Sequence, residues 1–81
     1  MIVSVKRKHI KRGKPGSCFF CPVALALKDV GCITPSVGPS LNYRVSMGGS
    51  VVSHPSPRSV RRFYTRFDAG RSVKPFRFIL K

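Results

Sequence analysis

Acidic residues are nearly absent from this 81-residue sequence, which contains only Asp29 and Asp68. General acid–base catalysis needs positioned titratable side chains, so this small supply argues against an enzyme. The histidines, His9 and His54, have no acidic neighbour in the sequence, and no Ser–His–Asp pattern is present. The glycine pair at 48–49 lacks the spacing of a phosphate-binding loop. We therefore expect no catalytic residue, no cofactor and no small-molecule substrate.

Long apolar runs are also missing. No stretch approaches the roughly 20 apolar residues that a membrane-spanning helix needs, so we expect no membrane partner. The apolar residues 2–5 come before the basic residues 6–14, which reverses the order found in a signal peptide. The three cysteines are an odd number, and without a secretion signal they are expected to be reduced thiols. These features predict a cytoplasmic protein.

Positive charge is what the sequence has in excess. Sixteen lysines and arginines against two acids give a net charge of +14. Charge of one sign at this density opposes compaction, and an anionic partner would relieve the repulsion. Nucleic acid is the commonest such partner, because its bound counterions are released when cationic side chains replace them. An anionic membrane surface and an acidic protein are the other candidate partners, and a solvated basic surface with no anionic partner is a further interpretation.

One amphipathic helix is predicted over residues 56–70. Ser56 is a suitable N-cap, Pro57 fits the first helical position, and Gly70 fits the left-handed residue after the helix. Between these signals, apolar side chains recur with the helical spacing i, i+3, i+4, i+7 at Val60, Phe63, Tyr64 and Phe67. The helix therefore has one face suited to a core.

The other face of this helix is rich in arginine. Its candidate phosphate-binding residues are Arg58, Arg61, Arg62 and Arg66. Successive helical turns are about 5.4 Å apart, which is close enough to phosphate spacing for these side chains to follow a backbone. A second basic segment contributes the candidates Lys6, Arg7, Lys8, Lys11, Arg12 and Lys14. A solvated outer face is the alternative interpretation of both sets.

The remaining pattern predicts a small α+β domain covering residues 1–81. Strands are indicated near residues 2–6, 41–45, 50–53 and 73–80, with a glycine turn between the middle two. A buried helix begins at Pro22 and ends at Gly31. A helical turn over 8–12, ended by Gly13, would direct Ile10 inward, and residues 32–40 should be irregular apart from an extended segment. The order β-α-β-β-α-β predicts one mostly antiparallel sheet with two helices packed on one face.

The cysteines admit three interpretations. A zinc site needs four ligands, and Cys18, Cys21, Cys32 and His54 could supply them, with His9 as a substitute for His54. A redox pair would need the Cys18-x-x-Cys21 segment on a thioredoxin-like scaffold, which does not fit this length. The third interpretation, which we favour, is that Cys21 and Cys32 are small buried residues.

Two adjacent aromatic residues, Phe19 and Phe20, lie between the cysteines. Exposed rings could stack on nucleic-acid bases. Beside a buried helix, however, phenylalanine is more often part of the core. The sequence therefore predicts that both rings are buried.

Three segments resemble a group of small bacteriophage and prophage proteins. The matching patterns are Val3-x-Val5-x-x-x-His9-Ile10-x-x-Gly13, then Cys18-x-x-Cys21-Pro22-Val23-Ala24-Leu25-Ala26-Leu27, and finally Arg66-Phe67-Asp68-Ala69-Gly70-x-x-Val73-x-Pro75-Phe76-x-Phe78. The resemblance covers about half of the chain. It implies a phage-type origin and a location in the cytoplasm of an infected bacterium. It brings no catalytic residue or ligand with it.

Taken together, these features predict a basic phage-type protein that binds nucleic acid non-specifically through its phosphates. Two alternatives remain. The protein could dock on an acidic surface of a host protein, as an inhibitor of host defence or transcription. It could also be a virion component that packs against the genome.

Overall fold

Residues 1–80 are described by a computed structural model, and Lys81, the last residue of the predicted domain, lies outside the described part. In chain order the elements are β1 Ile2–Val5, α1 Arg7–Arg12, α2 Pro22–Asp29, β2 Ile33–Val37, β3 Ser40–Arg44, β4 Val52–Pro55, α3 Arg58–Asp68 and β5 Phe76–Ile79. The Cα radius of gyration of 11.6 Å is close to the roughly 11.7 Å expected for one domain of this length. The prediction of a small, single-domain α+β protein is confirmed.

The predicted element order is wrong in two places, because α1 is a separate helix and residues 33–37 form a strand. β2 is unexpected because Pro35 lies inside it, and proline cannot donate a hydrogen bond to a sheet. The strand tolerates Pro35 because β2 is at the edge of its sheet. In addition, its register against β3 shifts between Ile33 and Ser36, so the proline occupies an irregular stretch.

The two terminal strands lie side by side. β1 and β5 pair antiparallel, with Ile2 opposite Ile79. The pairing extends one step further, because the Met1 ammonium donates to the Leu80 carbonyl oxygen at 3.0 Å. The Leu80 N–H in turn donates to the Met1 carbonyl oxygen at 2.7 Å. The first and last described residues are therefore held together.

The prediction of a single sheet is wrong. Within residues 1–80, β1 and β5 form a two-stranded sheet, whereas β2, β3 and β4 form a second, three-stranded antiparallel sheet. Helix α2 packs against β1 of one sheet and β2 of the other, and α1 packs against α2. The small side chains of Ala24 and Ala26 are buried in α2 together with Val23 and Leu27. A helix with buried residues on so much of its surface can serve both sheets, so one shared core replaces the predicted two helices on one face.

The glycine hairpin is confirmed in outline. β3 and β4 pair antiparallel, with Tyr43 opposite Val52, and the intervening loop includes Gly48 at φ +77°. The return strand begins later than predicted and runs through His54 to Pro55. The proline is tolerated there because β4 is also an edge strand.

Glycine ends two helices in the predicted manner. Gly31 after α2 has φ +99°, and Gly70 after α3 has φ +76°. After α3, the Gly70 N–H donates to the Phe67 carbonyl oxygen and the Arg71 N–H donates to the Arg66 carbonyl oxygen, both at 3.0 Å. This pair of bonds is a Schellman motif, which satisfies carbonyls that the helix leaves free.

The predicted N-cap of α3 is wrong. Ser56 is buried, and its hydroxyl donates to the carbonyl oxygen of Gly38 instead of accepting an N–H from the helix. Its own N–H donates to the Pro39 carbonyl oxygen at 3.0 Å. The helix starts at Arg58, with Pro57 in the N-cap position and no side-chain cap. Ser56 therefore anchors the start of α3 to the turn between β2 and β3.

Gly13 is required by a close contact between α1 and α2. Its backbone has φ −67°, which any residue adopts, but an added Cβ would lie 2.5 Å from the ring of Pro22. Pro22 is fully buried at the start of α2 and has no room to move. We expect Gly13→Ala to lower the free energy of unfolding by about 1–3 kcal/mol through overpacking, measured by urea denaturation.

A matched glycine substitution controls for the general effect of adding a methyl group. At Gly38 an added Cβ meets no atom within 4 Å, and the backbone is not left-handed. Gly38→Ala should change stability by no more than about 0.5 kcal/mol. Equal unfolding curves for Gly13→Ala and Gly38→Ala would show that the contact with Pro22 is unimportant.

Candidate nucleic-acid interface

Helix α3 separates its apolar and basic side chains as the sequence predicts. Val60 and Phe63 are buried, and the Phe63 ring lies 4.8 Å, between centroids, from the ring of Phe76 in β5. Phe67 is half-buried and its ring lies 6.1 Å from that of Phe63. These rings hold one side of α3 against the domain, which leaves its opposite side at the surface.

The arginine face, defined as Arg58, Arg61, Arg62 and Arg66, is exposed throughout. These four side chains and Thr65 line one shallow, open depression. Arg62 and Arg66 also border a groove between α3 and residues 72–76, where Lys74 adds a further cation. The arginine face is therefore one continuous basic surface that extends towards β5.

Both acidic residues accept hydrogen bonds from other parts of the protein. The Asp29 carboxylate lies 2.7 Å from Nε2 of His9 and 3.2 Å from Nζ of Lys8. Asp68 accepts a hydrogen bond from the backbone N–H of Gly16 at 2.9 Å. Within residues 1–80, all ion pairs involve Asp29. The four arginines of the arginine face thus form no ion pair with a described carboxylate, although Asp68 lies at the end of the same helix.

The contact between His9 and Asp29 was not predictable from sequence neighbours. Nδ1 of His9 accepts the backbone N–H of Lys6 at 2.8 Å, so Nε2 carries the proton that is donated to Asp29. Hydrogen bonds from His9 and then from Lys8 lower the pKa of Asp29 below its ordinary value. Ile10, the predicted inward anchor, is half-buried and packs against the core, and His9 beside it is buried as well.

The second basic segment is partly helical. α1 contains Arg7, Lys8, Lys11 and Arg12, while Lys6 precedes it and Lys14 follows it. All six side chains are exposed. Lys8 differs from the others in that its ammonium is paired with Asp29. The segment therefore presents a second cluster of cations, carried by a short helix rather than by a loop alone.

The cysteines are not arranged as a zinc site. Cys18 is exposed, while Cys21 and Cys32 are buried, and burial raises the pKa of both buried thiols. Sγ of Cys21 accepts the N–H of Ala24 at 3.4 Å at the start of α2. His54 lies 3.3 Å from the hydroxyl of Tyr43. In the described part of the chain, no three His, Cys, Asp or Glu side chains come together to hold a metal ion.

The prediction that Phe19 and Phe20 are buried is wrong. Phe19 is 53% exposed and Phe20 is 51% exposed. The backbone turns at residues 18–20 before α2 begins, and Cys21 rather than a phenylalanine occupies the buried position at the helix start. Nζ of Lys28 lies 4.8 Å from the centre of the Phe20 ring. The surface thus includes an aromatic pair beside lysine.

Comparison of the chain with protein-family models, with curated proteins and with solved structures found no significant match. The resemblance to bacteriophage proteins therefore stays a prediction. Among residues 1–80, no helix has the length and hydrophobicity required to cross a membrane.

Proposed function

We propose that this protein binds nucleic acid through the phosphate backbone, without sequence preference, and that it is of bacteriophage type. The observation that carries the proposal is the arginine face, whose four exposed guanidinium groups surround one depression and form no ion pair with a described carboxylate. Guanidinium groups bind phosphate oxygens through paired, charge-assisted hydrogen bonds. In the proposed complex, the arginine face supplies the principal contacts.

The α1 segment is proposed as a second contact surface. Five of its six cations, Lys6, Arg7, Lys11, Arg12 and Lys14, have no described carboxylate within 4 Å. The net charge of +14 would attract a polyanion from a distance and accelerate association at low salt. Contacts of this kind position a nucleic acid without reading its sequence. The proposed function is therefore general binding in the cytoplasm of an infected bacterium.

The proposal includes no catalytic step. Asp29 and Asp68 are both engaged in hydrogen bonds within the protein. His9 is buried with both ring nitrogens in hydrogen bonds. Few groups would remain for proton transfer to a bound substrate.

A salt titration of the wild-type protein tests the proposal. Affinity for random-sequence duplex and for a single strand of equal length is measured by fluorescence anisotropy between about 50 and 200 mM KCl. The four arginines of the arginine face alone predict a slope of log affinity against log salt of about −3 to −4 on duplex DNA, and contacts from the α1 segment would make it steeper. Absence of binding to both polymers at the lowest salt would contradict the proposal and would favour an acidic protein as the partner.

A further inference from the structure

We propose that Phe19 and Phe20 form a stacking site for unpaired bases, so that the preferred ligand is single-stranded nucleic acid. This inference rests on the proposed function and makes its ligand more specific. Phenylalanine rings that are about half exposed offer apolar surface that water solvates poorly. Bases of every type have a flat face that stacks on such rings, which is how many proteins bind single strands without reading sequence.

The turn that carries the two rings is held in place by the rest of the domain. The N–H of Phe20 donates to Oγ of Ser17 at 3.1 Å, and its carbonyl oxygen accepts the N–H of Lys14 at 2.9 Å. The carbonyl oxygen of Cys18 accepts the N–H of Val37 in β2, also at 2.9 Å. A turn fixed in this way loses little conformational freedom on binding, so the rings are presented ready to stack.

One cation lies against the aromatic pair. Lys28 lies over the Phe20 ring, with Nζ 4.8 Å from its centre. A stacked base brings its own phosphate, so charge next to the ring distinguishes a nucleotide from an uncharged apolar ligand. The combination of exposed aromatic rings and lysine is the pattern of a single-strand binding surface.

The turn at residues 18–20, called the aromatic turn from here on, follows a residue that is hydrogen-bonded to helix α3. Gly16, just before the turn, donates its N–H to the carboxylate of Asp68 at the end of α3. Asp68 follows Arg61 by seven residues, or about two helical turns, and so lies on the same side of the helix. The hydrogen bond from Gly16 thus places the start of the aromatic turn beside the last residue of α3.

Duplex nucleic acid cannot use this stacking site, because its bases are already stacked and paired inside the helix. Only unpaired bases can be splayed out against aromatic side chains. The arginine face and the aromatic turn should therefore differ in which type of nucleic acid they help to bind. The arginine face contributes to binding of both polymers, whereas the aromatic turn contributes to binding of single strands alone.

The test compares the double variant Phe19→Ser/Phe20→Ser with wild type on single-stranded and duplex oligonucleotides. We expect single-strand affinity to fall by about 10- to 100-fold, while duplex affinity and the salt slope stay unchanged. The control Met47→Ser/Val51→Ser removes two other exposed apolar side chains, 85% and 53% exposed, and should change neither affinity. Circular dichroism of each variant establishes that it is folded.

A fluorescence experiment supplies a second readout. The chain contains no tryptophan, so Phe19→Trp introduces a single reporter at the proposed stacking site. Single-stranded oligonucleotide should quench its emission and should bind with wild-type affinity, because indole also stacks on bases. An equal amount of bound duplex should leave the emission nearly unchanged.

The outcomes separate this inference from the proposed function. Wild-type affinity of Phe19→Ser/Phe20→Ser for single strands, or equal quenching by both polymers, would overturn the stacking site and leave phosphate binding intact. Failure of the wild-type protein to bind either polymer would overturn both proposals. Loss of affinity for both polymers in a folded Phe19→Ser/Phe20→Ser variant would overturn the single-strand preference.

Discussion

Replacing Arg62 and Arg66 together with alanine is expected to weaken binding to both duplex and single-stranded nucleic acid by about 100-fold or more. Hydrogen bonds to charged groups contribute about 1.5–3 kcal/mol each, which corresponds to roughly ten- to a hundredfold in affinity per arginine. These two arginines border both the depression on α3 and the groove towards residues 72–76. The slope of log affinity against log salt should become shallower by about 1 for each arginine removed.

The matched control for this variant is Arg44→Ala/Arg77→Ala. Both residues are exposed, and they lie in β3 and β5, outside the arginine face. The control also removes two positive charges, so it measures how far lower net charge alone weakens the affinity for nucleic acid. An equal loss of affinity in the two double variants would show that binding depends on overall charge and not on the arginine face.

The largest expected loss of stability comes from Phe63→Ala. Phe63 is 6% exposed and joins α3 to β5 through its ring contact with Phe76. Truncating a buried phenylalanine removes its transfer free energy and leaves a cavity, at a cost of about 3–5 kcal/mol. Small domains have total stabilities of roughly 5–15 kcal/mol, so a large share of the stability would be lost. Urea denaturation followed by circular dichroism measures the difference.

Phe19→Ala is the matched comparison, because it makes the same chemical change on an exposed ring. Its free energy of unfolding should lie within about 0.5 kcal/mol of wild type. A loss below about 1 kcal/mol for Phe63→Ala would mean that this contact does not secure α3 to the domain. In that event the support for a fixed arginine face would be removed as well.

The C-terminal ends of α2 and α3 were the most predictable part of the fold. Gly31 and Gly70 both adopt the left-handed backbone that a helix end favours, and this requirement depends only on residues within one helical turn. The spacing of Val60 and Phe63 likewise predicted which side of α3 is buried. The exposed arginine face follows from the same spacing, and so this part of the candidate site could be derived from sequence.

Packing between segments that are distant in sequence explains why the predictions for Ser56 and for the segment around Pro35 were wrong. Ser56 has the chemistry of an N-cap, but its hydroxyl instead binds the carbonyl oxygen of Gly38, eighteen residues away. Pro35 argues against a strand, yet the edge of the sheet accommodates it. Local patterns could not predict either outcome, because each depends on a neighbour supplied by the tertiary structure.

The same reason limits what the sequence reveals about the candidate site. The two contacts that occupy the acids, His9 with Asp29 and Gly16 with Asp68, join residues 20 and 52 positions apart. Periodicity within one helix or strand carries no information about such pairs. The exposure of Phe19 depends in the same way on how α2 enters the core, so the aromatic surface became visible only with the tertiary structure.

The pairing of β1 with β5 has a consequence for synthesis of the chain. Val3 is fully buried opposite Phe78, but seventy-four residues separate the two in the sequence. While the ribosome is still adding the intervening residues, β1 has no partner strand, and of the elements that pack against it only α2 has been made early. Any structure that the growing chain forms before Phe76–Ile79 leaves the ribosome therefore lacks the two-stranded sheet of β1 and β5.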